Sequence, residues 1–251
     1  MARNFFGSIF YSLYIVNFLI SASFNEPFYS PDGISSRNQR KFTGDRFSDH
    51  VAILSAFQDW EEVGQGSFSH EKKWCHENHI KRNIMKNTFE VKKQLLKIMR
   101  ENGFPEYSTR RKFLKNSGDD RDLNMLVTIL SLGLDNMAVH KLGRKIATGP
   151  GNSGYIGKQS VNYPLNQKNV KYPFPLFVYG EKVFTYAISA RQSTCINPAQ
   201  LVLASKSIST DGNENVVIND WIPILMEQKD LENILKLRKY LESVRGSNKI
   251  M

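Results

Sequence analysis

The hydrophobic period of the chain changes near residue 133, and this change sets the fold class. Before it, apolar residues recur at the three-to-four-residue spacing of helices over residues 50–62, 83–101 and 123–132. After it, short runs of β-branched and aromatic residues are separated by Gly, Pro and Asn, and a last helical segment covers residues 230–244. The sequence therefore predicts an α+β fold, in which a helical bundle precedes a small β-barrel and a C-terminal helix.

Residues 177–186 read Phe-Val-Tyr-Gly-Glu-Lys-Val-Phe-Thr-Tyr, which is typical of a β-hairpin. Gly180 and Glu181 fit the central positions of a tight turn that begins with glycine. We therefore expect the chain to reverse direction at these two residues.

The positive charge of the chain is concentrated in two segments. The formal net charge is +10 for 251 residues. Residues 70–115 carry thirteen Lys or Arg against five Asp or Glu, and residues 140–192 carry eight against one. Two local fields suit a groove for a polyanion, but solvated helix and loop faces produce the same composition, so charge alone leaves both interpretations open.

Lysines and tyrosines alternate through the second basic segment. Small β-barrels bind single strands by stacking bases on aromatic rings while Lys and Arg follow the phosphates. Because alternate strand residues point inward, roughly half of the aromatic residues should be core, and we expect about three or four of the candidates to contact RNA. The candidates are Lys145, Tyr155, Lys158, Lys168, Lys171, Tyr172, Tyr179, Lys182 and Tyr186.

The sequence contains no machinery for ATP hydrolysis. No Asp-Glu-x-His or Asp-Glu-Ala-Asp box occurs, and residues 157–160 lack the upstream glycine and the hydroxyl residue of a phosphate-binding loop. Residues 149–154 match the letters Gly-x-Gly-x-x-Gly, but β-like residues follow and the next acidic residue is Glu181. We therefore expect that this chain is not an enzyme and binds no cofactor.

His70, Cys75, His76 and His79 lie close together in the sequence. Cys75 and His79 could share a helix face, but the second ligand pair of a zinc finger is missing. The preferred interpretation is a helix-packing cluster without a metal. The other cysteine, Cys195, also has apolar neighbours, and two such cysteines indicate a reducing compartment rather than a disulfide framework.

Residues 5–20 form an apolar run after a short basic start, which is typical of a signal peptide. The run is too short and too polar for a membrane span of about 20 apolar residues. We therefore expect no membrane partner. A buried helix is the preferred interpretation, and a secreted protein with a cleaved leader is the alternative.

Six strings along the chain form a specific pattern. They are Phe47-Ser-Asp-His-Val-Ala, Trp74-Cys-His-Glu-Asn, Gly103-Phe-Pro-Glu, Arg144-Lys-Ile, Ser160-Val-Asn and the segment from Tyr172 to Ser189. Together they resemble the C-terminal helicase-associated (ratchet-like) region and OB-fold of DEAH/DExH-box RNA helicases, with the RNA helicase A/maleless branch the most similar. The resemblance implies a helicase-associated helical domain over residues 5–105, a connector over 106–122, an OB-like barrel domain over 123–225, and a C-terminal helix and tail over 226–251.

In the family resembled, the helices and the OB-fold line a tunnel for single-stranded RNA. The RNA-contacting loop there usually reads His-Lys-Ser/Thr-Ser-Val-Asn, whereas this chain has Gly-Lys-Gln-Ser-Val-Asn over residues 157–162. The resemblance implies a phosphate contact for Lys158, with Gln159 in the position of the hydroxyl residue. The candidate RNA-binding residues are then Lys145, Tyr155, Lys158, Gln159, Lys171, Tyr179, Lys182 and Tyr186.

The resemblance implies an RNA-binding accessory module of an ATP-dependent 3′-to-5′ RNA helicase in the nucleus or the cytoplasm. ATP and Mg²⁺ would belong to motor domains that this sequence does not contain. The expected partners are single-stranded RNA or an RNA/DNA strand, with helicase motor domains or ribonucleoprotein components as further partners. The alternative is a scaffold that binds a helicase in trans through the apolar surfaces that meet the motor.

Overall fold

The structure is a computed structural model of the chain. It describes residues 26–30, 36–64, 66–101, 121–165, 170–210 and 214–247. The predicted helix over residues 5–24 lies outside them, so the choice between a buried helix and a leader stays a prediction. Nearly all of the predicted connector also lies outside the described residues.

Within the described residues, four helices form the first layer of the fold. They are α1 (Ser36–Thr43), α2 (Asp49–Gly64), α3 (Phe68–Glu77) and α4 (Arg82–Glu101). The helices predicted over residues 50–62 and 83–101 are confirmed as α2 and α4. α2 is capped by Ser48, whose Oγ accepts the N–H of Val51 at 3.1 Å.

Helix α3 was not predicted, although its start carries a recognisable signal. Ser67 caps the helix by accepting the N–H of His70 at 3.3 Å. α4 then packs back on α2, with the Phe89 ring 6.0 Å from that of Trp60 and Met85 fully buried. Phe89, Leu95 and Leu96 of α4 also pack against this core, whereas Ile98 near the end of the helix is 53% exposed.

A closed five-stranded barrel forms the second layer, as predicted. Its strands are β1 (Met137–Leu142), β2 (Lys145–Gly149), β3 (Asn152–Ile156), β4 (Leu176–Phe184) and β5 (Ile188–Cys195). Around the barrel they follow the order β1-β2-β3-β5-β4, and the antiparallel pairing of β4 with β1 closes it. β3 and β5 run parallel, and this topology fits an OB-like fold.

The first half of β4 is buried on both faces, and this joins the barrel to the helices. Phe177 and Tyr179 pack inside the barrel. Leu176 and Val178 point the other way and belong to the same hydrophobic core as Phe57 of α2. One core therefore runs from the helical layer to the outer face of the barrel, and the predicted domain boundaries stay predictions.

Six further elements complete the described part of the fold. They are α5 (Arg121–Gly133), α6 (Pro198–Ala204), β6 (Ile208–Thr210), β7 (Asn215–Ile218), β8 (Ile222–Leu225) and α7 (Gln228–Ser247). β6, β7 and β8 form a separate antiparallel sheet. α6 packs between α5 and α7, and Arg238 of α7 donates to the Val202 carbonyl at 3.3 Å and to Ser205 Oγ at 2.9 Å.

The turn predicted at Gly180–Glu181 is wrong. β4 continues through both residues, and the chain reverses after Phe184, which pairs with Ile188. A Cβ on Gly180 would lie 2.7 Å from Gln192 Oε1 of β5. Glycine at this position therefore leaves room for the Gln192 side chain of the neighbouring strand and does not mark a reversal of the chain.

Candidate nucleic-acid interface

A buried carboxylate at the start of α2 joins the helical layer to the barrel. Asp49 Oδ1 accepts the N–H of Val161 at 2.6 Å, and Oδ2 accepts the N–H of Ser193 at 2.7 Å. Burial raises the pKa of Asp49 to about 6, although hydrogen bonds from Ser160, Val161 and Ser193 oppose the rise. The carboxylate therefore fixes β5 and residues 157–163, which we call the β3 exit loop, against α2.

The residues beside Asp49 complete this contact. Ser48 Oγ and His50 Nδ1 each lie 2.8 Å from Thr194 Oγ1 on β5. Burial lowers the pKa of His50 to about 4, so the ring is neutral at physiological pH. The Ser-Asp-His string thus has a packing role in this fold.

Asn162 holds the other end of the β3 exit loop. Its Nδ2 donates to the Ser193 carbonyl at 3.1 Å, to Ser193 Oγ at 2.8 Å and to the Phe47 carbonyl at 3.3 Å. Tyr172 donates its hydroxyl to the Asn162 carbonyl at 2.5 Å, and Arg40 Nε donates to the Val161 carbonyl at 3.1 Å. The buried Ser-Val-Asn half of the loop therefore anchors it, and the exposed half presents Lys158 and Gln159 to solvent.

The strand register brings four candidate residues to one end of the barrel. Lys145 pairs with Tyr155 across β2 and β3. The Ile156 N–H donates to the Arg144 carbonyl at 2.8 Å, so the loop that carries Lys158 and Gln159 leaves β3 beside the β1–β2 turn. We call Lys145, Tyr155, Lys158 and Gln159 the basic end of the barrel.

Two arginines that the sequence analysis did not select also lie at the basic end. The Arg144 guanidinium lies 4.6 Å from the centre of the Tyr155 ring. Arg191 follows Ala190, whose carbonyl accepts the Gly157 N–H at 2.8 Å. Arg144 is adjacent to Lys145 in the sequence and could have been selected on that ground, whereas Arg191 is placed there by the parallel register of β3 and β5.

The cations of the barrel are exposed and little compensated by acidic neighbours. Arg191 lies 3.4 Å from Glu181. Among the residues that the structure describes, no carboxylate forms an ion pair with Lys145, Lys158, Lys171 or Lys182, and all four side chains are exposed. Their positive charge is therefore available to an anionic partner.

The other candidates lie away from the basic end. Tyr179 is 2% exposed inside the barrel, so the expectation that it contacts RNA is corrected. Tyr172 is half-buried, and its ring packs at 5.0 Å from that of Phe177. Lys171 lies beside Tyr172 in a groove of about 710 Å³ between the α1–α2 turn and the barrel. Lys168 lies outside the described residues.

Tyr186 and Lys182 belong to the β4–β5 hairpin. Tyr186 is 97% exposed in the turn, and Phe184, two residues before it, is 73% exposed. Lys182 pairs with Ala190, and Ala190 pairs with Ile156 on its other side. Lys182 therefore lies two strands from the start of the β3 exit loop, or about 10 Å.

Cys75 and His79, the pair considered as zinc ligands, lie near the end of α3. Cys75 is buried, and the His79 ring packs 5.5 Å from that of Tyr29. Burial raises the pKa of the Cys75 thiol to about 11. Across the described ranges, no three His, Cys, Asp or Glu side chains converge to form a metal site. Nor does any helix in those ranges have the length and apolar character needed to cross a bilayer.

Comparison with curated proteins finds relatives of one class, although no protein-family model matches the chain. The homologues are DEAH/DExH-box RNA helicases, similar at low identity over most of this chain. The ATP-dependent DNA/RNA helicase DHX36 of Mus musculus is 22% identical over 250 residues, which cover 95% of this chain and 25% of that protein.

Two further relatives agree with this class. The ATP-dependent RNA helicase dhx29 of Xenopus laevis is 26% identical over 95% of this chain and 18% of its own length. The helicase DExH1 of Arabidopsis thaliana is 26% identical over 80% of this chain and 20% of its own length. The chain thus spans a quarter or less of these relatives. The narrower expectation of an RNA helicase A/maleless branch stays a prediction.

Proposed function

We propose that this chain is an RNA-binding accessory module of a DExH-box RNA helicase, and that single-stranded RNA crosses the basic end of the barrel. The observation that carries the proposal is the convergence of exposed lysines around Tyr155 on an OB-like barrel. The helicase relatives support RNA as the polyanion. ATP and Mg²⁺ are assigned to motor regions of the parent helicase, so this chain alone hydrolyses no nucleotide.

The contacts of the basic end suit recognition of the RNA backbone. Lys145 and Lys158 reach phosphates as point charges, and Tyr155 with the overlying Arg144 offers a planar surface to a ribose or base. Gln159 has an amide that can both donate to and accept from a base edge. Binding should therefore tolerate most sequences.

The anchored loop explains how the contacts are preorganised. Asp49 and Asn162 hold the buried half of the β3 exit loop against α2 and β5. The Ser160 N–H also donates to the Gly157 carbonyl at 3.0 Å, which closes a turn around Lys158 and Gln159. Lys158 is thus presented from a fixed backbone, which lowers the entropic cost of binding.

The test is a titration of labelled oligouridylate with the purified chain at several salt concentrations. The logarithm of the association constant should fall with the logarithm of salt concentration, with a slope of about −0.7 for each phosphate neutralised. A flat response to salt would overturn the proposal.

A matched pair of charge reversals locates the site. Lys158→Glu should lower affinity about tenfold at low salt, and to the same degree for every RNA sequence. Lys97→Glu is the control, because Lys97 is exposed on α4 at 3.9 Å from Glu101. Equal losses from both variants would show that binding follows net charge and not the barrel.

A further inference from the structure

The β4–β5 hairpin projects beyond the closed part of the barrel. β4 pairs with β1 through Leu176–Val178 only, whereas it pairs with β5 through Phe184. Among the described residues, the stretch from Glu181 to Phe184 thus has a strand on one side and none on the other. On its other side, β5 pairs through Ile188–Ala190 with Gly154–Ile156 of β3, so Lys182–Phe184 form the open edge of three paired strands and lead into the turn at residues 185–187.

The tip of this hairpin bears two aromatic side chains, Phe184 and Tyr186, which we call the aromatic tip. They are 73% and 97% exposed. Within the part of the chain that the structure describes, neither ring joins a hydrophobic cluster or a ring pair. A large ring that is mostly hydrated contributes little to the core, so packing does not explain why these two rings lie on the hairpin.

The surroundings of the aromatic tip are cationic rather than apolar. Lys182 lies two residues before Phe184 and is exposed without an ion pair among the described residues. Ala190 is in register with both Lys182 and Ile156, and Tyr186 precedes it by four residues. The tip therefore lies within about 13 Å of the row where the β3 exit loop begins. Rings beside lysines suit a polyanion that also carries flat apolar groups.

We propose that the aromatic tip is a base-stacking subsite, which grips one or two nucleobases of the RNA strand whose phosphates lie on the basic end. The inference rests on the proposed function and adds a second kind of contact to it. Stacking supplies affinity without charge, because every nucleobase has a π-face. The basic end and the tip fall within the roughly 4–16 nucleotides that one OB barrel covers.

The experiment separates stacking from charge with two probes. One is an oligouridylate of about ten nucleotides, and the other is a ribose-phosphate chain of the same length without bases. The double variant Phe184→Ala/Tyr186→Ala should bind oligouridylate roughly 5- to 150-fold more weakly than the wild-type chain. Both proteins should bind the abasic chain equally, and the salt slope should not change.

Leu225→Ala provides the control, because Leu225 is 75% exposed on β8, away from the hairpin. This substitution should leave both affinities unchanged. An equal loss of affinity for the abasic chain in the double variant would overturn the subsite, as would an unchanged affinity for oligouridylate.

The same titrations keep the two proposals apart. If the wild-type chain shows the expected salt slope but binds oligouridylate and the abasic chain with equal affinity, only the proposal of a stacking subsite is overturned. If the wild-type chain binds neither probe at low salt, the proposed function itself fails. Circular dichroism of the double variant confirms that the barrel is still folded.

Discussion

The two basic segments carry almost equal charge in the sequence, but they differ in how that charge is compensated. Within the described part of the helical region, ion pairs join Lys73 to Glu77 at 3.9 Å, Arg82 to Glu71 at 2.8 Å, Lys92 to Glu61 at 2.5 Å, Lys93 to Glu90 at 3.0 Å and Lys97 to Glu101 at 3.9 Å. On the described part of the barrel, only Arg191 has such a partner, whereas Lys145, Lys158, Lys171 and Lys182 have none.

The comparison teaches that net charge per segment is a poor guide to an anion-binding surface. A cation with a carboxylate a few ångströms away produces little potential beyond the Debye length of about 8–10 Å. Lysines without a carboxylate partner on a rigid barrel keep their positive potential. The following changes either remove what holds the barrel lysines in place or make the two regions alike.

The largest expected effect comes from Asp49→Ala, which removes the support of the barrel's basic end. The substitution leaves the buried N–H groups of Val161 and Ser193 without an acceptor, at about 1–3 kcal/mol each. The free energy of unfolding should fall by roughly 2–6 kcal/mol in urea titrations. Glu77→Ala, at an exposed carboxylate of the helical region, is the matched control and should cost less than about 0.5 kcal/mol.

A second test uses the pH dependence of stability. Burial first, and then the nearby Asp49 carboxylate, raise the pKa of Glu26 from 4.5 to about 7. A raised folded-state pKa gives stability that is fully present below pH 4.5 and is lost as the pH rises through 7, by at most about 3 kcal/mol. Glu26→Gln should abolish most of this loss in urea titrations between pH 5 and 8. An unchanged pH profile would show that Glu26 is hydrated.

Glu71 in the helical region should behave in the opposite way. It accepts from Arg82 Nη2 at 2.8 Å and from Trp60 Nε1 at 3.1 Å. Although burial acts to raise it, the pKa of Glu71 is lowered overall by Arg82 and Trp60. The contribution of Glu71 to the free energy of unfolding is therefore present above pH 4.5 and is lost as the pH falls through the lowered pKa. Glu71→Gln should cost about 1–3 kcal/mol at pH 7 and almost nothing in strong acid.

The smallest effect is expected from a variant that leaves two lysines of the helical region without a carboxylate partner, like the lysines of the barrel. The double variant Glu90→Gln/Glu101→Gln removes the carboxylates beside Lys93 and Lys97. Stability should change by less than about 0.5 kcal/mol for each pair. Affinity for oligouridylate should rise about two- to threefold at low salt and not at high salt. An unchanged affinity at low salt would mean that compensation does not explain the difference between the two regions.

Much of the architecture could be predicted because it depends on local patterns. The apolar period of α2 and α4 indicated both helices, and the short strands indicated the barrel. Burial of Tyr179 could not be predicted, because alternation along β4 has no phase until its partners are known. The helices cover the outer face of β4, so Tyr179 faces the barrel interior while Val178 faces the helical layer.

The ion pairs between distant residues could not be predicted from the sequence either. Lys92 and Glu61 are separated by 31 residues and meet only because α4 folds back on α2. The basic end itself depends on parallel pairing of β3 with β5, which places Arg191 beside the β3 exit loop. By contrast, the adjacent pair Arg144 and Lys145 needed no tertiary information.

The core shared by β4 and the helices limits how this chain can be divided. Severed from the helices, the barrel would expose Leu176 and Val178 to water and would self-associate through them. Without the barrel, Asp49 of α2 would lose the backbone N–H groups of Val161 and Ser193, from which its carboxylate accepts hydrogen bonds. The two layers should therefore melt in a single transition, and in evolution they would be inherited, lost or duplicated together.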